Sequence, residues 1–176
     1  MRMFVFLALL LAAPVYGQDE AADLRGAAGC GPAKTQFDVK TDKKQHTLTQ
    51  PESGKALIYI FEQFIPDPRY LTLGHVTTRV GLDGNWVGAN HESSYMFFSV
   101  EPGAHRLCSD MQSILVSEKV SAATGLVAES GKTYYYRVVV KDEHNAITHF
   151  SLNAVDGAEG RLLISNSALS SAQKKK

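Results

Sequence analysis

An all-β domain, an antiparallel sandwich of about seven to eight strands with a short C-terminal helix, is predicted by three features of the sequence. Short runs of β-branched and aromatic residues recur from Ala56 onward. Turn residues punctuate those runs at intervals of roughly ten residues, the spacing of an all-β fold. Between them no segment carries a long helical apolar pattern, so the crossovers that a parallel α/β fold needs are not there.

Local chemistry places each element. Residues 56–61 form the first core strand, followed by a loop containing Pro66 and Pro68. Residues 76–82 alternate, with Val76, Thr78, Val80 and Leu82 on one face and Thr77, Arg79 and Gly81 on the other, the period of a half-buried strand. Asp83-Gly84 supplies the backbone of a tight turn, so residues 86–89 pair back as a hairpin. Residues 95–100 follow, with Met96, Phe98 and Val100 facing one way. Glu101-Pro102-Gly103 then turns the chain, and residues 105–111 read most simply as the return strand of a second hairpin. Residues 126–128, 133–140 and 148–155 complete the strands, with turns at Gly131-Lys132 and His144-Asn145. Asp156 is suited to cap a short helix reaching Leu163 or Ile164, although Gly157 and Gly160 weaken it. The expected architecture is an Ig-like or prealbumin-like sandwich. Glu52-Ser53-Gly54-Lys55 and Glu129-Ser130-Gly131-Lys132 echo each other before two strands, which is read as shared turn chemistry and not as a duplicated domain.

The N-terminus has the order of a secretory signal: Arg2, an apolar run over residues 4–13, then Pro14, Val15, Tyr16 and Gly17 before polar Gln18 and Asp19. Cleavage is expected near Gly17, leaving a periplasmic or secreted protein without a membrane span; an uncleaved anchor or a buried first helix is the alternative. The expected organisation is a signal peptide over 1–17, a polar N-terminal arm over 18–53 in which Phe37 and Val39 form a short edge strand, a sandwich over 54–168 and a basic flexible tail over 169–176. The chain has 18 basic and 18 acidic residues. Such a balance lacks the positive field of nucleic-acid binding.

Cys30 and Cys108 both lie beyond the signal. In an oxidising compartment an even pair is read as a disulfide, two unpaired thiols being the alternative. If Leu107 points inward, Cys108 points outward, and the arm must cross the outer face of the sheet to reach it.

Several motifs together resemble a bacterial family catalogued as domain of unknown function 2846. They are Gly54-Lys55-Ala56-Leu57-Ile58-Tyr59, then Val80-Gly81-Leu82-Asp83-Gly84 with Trp86-Val87-Gly88. Tyr95 and Phe97-Phe98 follow, leading to Val100-Glu101-Pro102-Gly103-Ala104-His105, and last comes Gly131-Lys132-Thr133-Tyr134-Tyr135-Tyr136. The resemblance spans about two-thirds of the chain and implies an exported or lipid-anchored β domain. This chain departs from it in having no cysteine directly after the apolar run, and the resemblance implies no activity.

No catalytic signature stands out. Ser130-Gly131-Lys132-Thr133 looks like the end of a phosphate loop, but Leu126 stands where the first glycine belongs and a strand follows instead of a helix. No Gly-x-Ser-x-Gly elbow occurs. The protein is therefore read as a non-enzyme without a cofactor. Trp86, Tyr135 and Arg137 are the binding candidates, because an exposed sheet face carrying them would offer a stacking and hydrogen-bonding surface to a protein or glycan of the envelope. The competing reading makes Trp86 a cap on the sandwich and places Tyr135 beneath the arm. The functional alternative is a metal-binding protein or metal-dependent hydrolase that uses loop histidines, with His75, His91 and Glu92 as ligands.

Overall fold

The computed structural model describes residues 30–68, 76–91, 93–112, 120–143 and 146–176. The segment expected to be a signal peptide, His75, Glu92 and the expected turn at His144-Asn145 lie outside the described residues. Ten strands and one helix follow in the order β1 (Phe37–Asp42), β2 (Ala56–Ile65), β3 (Thr77–Leu82), β4 (Asn85–His91), β5 (Ser94–Val100), β6 (Gly103–Met111), β7 (Ser121–Ala128), β8 (Thr133–Glu143), β9 (Ala146–Val155), α1 (Gly157–Asn166) and β10 (Ala168–Lys174). They form a six-stranded sheet, β1-β10-β5-β2-β8-β9, and a four-stranded sheet, β4-β3-β6-β7. Among the described residues no helix is long and apolar enough to cross a membrane.

The all-β expectation holds, with four corrections. Among the described residues the strands number ten instead of seven or eight. The larger sheet is mixed: β2 runs parallel to β8, and β10 parallel to β5. Residues 94–111 are not a hairpin, because β5 pairs with β2 and β10 while β6 pairs with β3 and β7. Glu101-Pro102-Gly103 therefore carries the chain from one sheet to the other. Finally, residues Ala168–Lys174 form a strand where a flexible tail was expected from 169, since β10 pairs with β1 from Leu169 to Lys174. Ser, Ala and Gln in that segment have little apolar signal, and the strand exists because β1 and β5 supply its ladder partners.

Three apolar clusters explain how the sheets stay together. The largest fills the space between them, with Ile58, Ile60, Val80, Leu107, Val138 and Val140 at its centre. A second, with Leu57, Tyr59, Phe61, Tyr95, Tyr135 and Ile164, lies on the other face of the six-stranded sheet beneath α1. Cys30, Phe37, Trp86, Ala89 and Cys108 form the third. Central strand β2 is thus covered on both faces, which is why its sequence is apolar without alternation from Ala56 to Phe61.

Polar side chains also join the two sheets. Glu62 of β2 accepts hydrogen bonds from the amide (3.2 Å) and hydroxyl (2.5 Å) of Thr78, and Asn90 Nδ2 donates to the Ile60 carbonyl at 2.9 Å. Burying such groups costs free energy unless they are bonded.

Two local expectations hold in detail. Asp83 (φ 50°) and Gly84 (φ 77°) both adopt the left-handed conformation that a two-residue hairpin turn requires, and β3 pairs with β4. Asp156 caps α1, its carboxylate accepting from the amides of Ala158 and Glu159 at 2.8 Å each. The two echoed turns lie side by side: Gly131 N donates to Lys55 O at 2.8 Å and Leu57 N to Lys132 O at 3.0 Å. They launch the parallel pair β2 and β8 in register.

Candidate functional site

Alternation along β3 and β6 turns Arg79, Gly81, Cys108 and Asp110 away from the sandwich core and onto the outer face of the four-stranded sheet. The arm crosses that face. Cys30 and Cys108 form a disulfide with Cα atoms 5.6 Å apart, as the outward direction of Cys108 requires. The crossing is possible because two glycines let the backbone come close. A Cβ on Gly81 would collide with the Cys30 carbonyl, and one on Gly31 would lie 2.6 Å from the Trp86 ring.

Arg79 organises the crossing. Its Nε and Nη2 donate to the two carboxylate oxygens of Asp110 at 2.7 and 2.5 Å, a two-pronged pair. Its Nη1 donates to the carbonyls of Ala33 and Thr35 in the arm. The guanidinium lies over Trp86, whose Nε1 donates to the Pro32 carbonyl at 3.0 Å. Between the arm and strand β7 this leaves a recess of about 460 Å³, walled by Gly31, Ala33, Ser121 and Ala123 with Arg79 and Asp110 on its floor.

The three binding candidates are not brought together. Trp86 is on the outer face of the four-stranded sheet and is 7% exposed, its ring under the arm. Tyr135 is 9% exposed on the outer face of the six-stranded sheet, packed on Gly160 of α1 and stacked with Tyr59 at 5.4 Å. Arg137 faces the same helix and pairs with Glu159 at 2.6 Å. Two layers of sheet separate Trp86 from the other two. Of the metal candidates only His91 is described, and its Nδ1 is 2.9 Å from the Thr77 hydroxyl. Among the described residues there is no group of three or more histidine, cysteine or acidic side chains placed to hold a metal ion.

Comparison of the chain with protein families, curated proteins and solved structures finds no match. The site must therefore be read from its own geometry.

Arg79 and Asp110 are the residues that sequence reasoning did not select. Alternation had placed Arg79 on the outer face, but its partner sits on β6, and only the β3–β6 register brings Arg79 opposite Asp110. Asp142, on the inward side of β8, was missed as well. It is almost fully buried, and among the described residues its carboxylate oxygens have no hydrogen-bond partner.

On the four-stranded sheet, at the end of β6 opposite Asp110, His105 joins two connections. Its Nδ1 is 2.7 Å from Asp83 Oδ2 and its Nε2 is 2.8 Å from the Glu101 carbonyl. Partial burial works against the imidazolium, but the Asp83 carboxylate and the Glu101 carbonyl more than reverse this, so the His105 pKa is raised. Partial burial also works against ionised Asp83, and the Arg106 amide with His105 outweighs it, so the Asp83 pKa is lowered.

Proposed function

We propose that this protein is a non-catalytic module of the cell envelope, periplasmic or secreted, that binds a segment of another protein in the recess beside the arm. The observation that carries this reading is the recess itself. It is concave, it is lined by backbone and small side chains together with Arg106, and its floor is an ion pair already satisfied within the fold. Such a surface admits a main chain closely and supplies polar groups to orient it.

A protein segment fits better than a glycan. Sugars are held largely by stacking on open aromatic faces, and Trp86 and Tyr135 are both more than nine-tenths buried. The kinship with the domain of unknown function 2846 family and the Ig-like or prealbumin-like character of the sandwich are part of the same proposal. They rest on the motifs and strand spacing of the sequence.

A photo-reactive residue at Ala123, in the recess, and one at exposed Ala158, on α1, test the reading in the native envelope. Ala123 is expected to capture a defined species that Ala158 does not, with capture lost when Ser121→Trp fills the recess. Equal capture from both positions, or turnover of a hydrolase substrate panel by the purified protein, overturns it.

A further inference from the structure

The contacts of His105 determine its protonation. A carboxylate and a backbone carbonyl only accept hydrogen bonds, and these are the two groups facing its ring nitrogens, at 2.7 and 2.8 Å. Both nitrogens must therefore donate, and the ring that satisfies both partners is the imidazolium. A neutral ring has a single N–H and leaves one acceptor facing a lone pair.

The two partners belong to different parts of the framework. Asp83 is the first residue of the β3–β4 turn, where its amide donates to the Arg106 carbonyl at 2.9 Å and its Oδ1 accepts from the Arg106 amide at 2.8 Å. Glu101 begins the connection that takes the chain from the six-stranded to the four-stranded sheet. We propose that His105 is a proton-operated clasp: doubly protonated, it ties the β3–β4 turn to the inter-sheet connection, and loss of one proton opens one of the two ties.

Among the described residues, other charges in the vicinity do not replace this role. From β3–β4 the facing group is Asp83, and from the β5–β6 connection it is the Glu101 carbonyl. The Glu101 carboxylate is turned to Lys55 (3.9 Å), which is itself paired with Glu52 at 2.9 Å. On β7 the residue opposite His105 is the apolar Leu126. The neighbouring Arg106 meets Asp83 through its backbone. The ring itself is largely shielded, with 14% of its side chain exposed, whereas the Asp83 side chain is 47% exposed.

Imidazole nitrogen NMR and hydrogen exchange on the whole protein test the proposal. The His105 ring is expected to carry two protons at pH 6 and to titrate with a midpoint above about 6.5, the unperturbed value. Across that midpoint, protection of the amides near Asp83 and Glu101, corrected for intrinsic exchange, is expected to fall about fivefold, the worth of one hydrogen bond. His105→Gln, which can satisfy only one partner, should remove the pH dependence, and Asp83→Asn should lower the midpoint. A neutral tautomer at pH 6, a midpoint at or below about 6.5, or protection that does not change in the unmodified protein overturns it, whether or not the variants fold.

Discussion

The guanidinium carbon of Arg79 lies 4.3 Å from the centroid of the Trp86 ring, while the same side chain holds Asp110 and two carbonyls of the arm. One residue thus joins the sheet, the arm and the single tryptophan. Replacing Arg79 by Met keeps the stem but removes the charge opposite Asp110, which should cost roughly 3 kcal/mol, the lower end for breaking a buried pair. Urea titration followed by tryptophan fluorescence checks this, with a red shift expected at zero denaturant as the arm loosens over Trp86.

Gly160 of α1 packs directly on Tyr135, and a Cβ there would collide with Cβ and Cγ of that side chain. Alanine raises helix propensity by about 1 kcal/mol, whereas overpacking costs about 1–3 kcal/mol. The clash wins, because the colliding atoms are the base of a ring backed by Tyr59 and Phe61 and cannot swing aside. Gly160→Ala should therefore lower Tm by several degrees, at about 2–4 °C per kcal/mol for a chain of this size. The gain expected of the same change on an exposed helix should be absent.

The disulfide closes a separation of 78 residues. Replacing Cys30 and Cys108 together by serine should destabilise the protein by roughly 2–5 kcal/mol. The sheets should nevertheless persist, because Arg79, Trp86 and the β1–β10 ladder hold the arm independently. Circular dichroism unchanged at low denaturant, with an earlier urea midpoint, is the expected pair of results.

Stability should fall on both sides of a pH window set by Asp83 and His105. Asp83, with a lowered pKa, stabilises the fold fully above about 3.9, its unfolded value, and that contribution is lost as pH falls through the folded value. His105, with a raised pKa, stabilises fully below about 6.5, and that contribution is lost as pH rises through the folded value. Urea midpoints measured from acid to mildly basic pH should therefore decline at both ends. Asp83→Asn should flatten the acid limb and His105→Gln the basic one.

Much of the frame was legible along the chain because it depends on neighbours in sequence. The Asp83-Gly84 turn, the cap at Asp156 and the inward series Val76, Val80, Leu82 all follow from local backbone preference and the period of a strand. The outward direction of Cys108, and with it the path of the arm, followed from the same period. The site was much less legible. Trp86, Tyr135 and Arg137 share a chemical character that suggests a common surface, yet each already serves the packing of a different segment.

The all-β character, the Asp83-Gly84 turn, the short helix and the alternation of faces along the strands were written in the sequence. All of these arise from interactions spanning a few residues. Tertiary structure alone decided that β2 and β8 run parallel, that Glu101-Pro102-Gly103 changes sheets, that the last residues form a strand, and that Arg79 meets Asp110. The physical reason is that a strand's partner is chosen by the burial and hydrogen bonding of distant segments, information that no local run of residues contains.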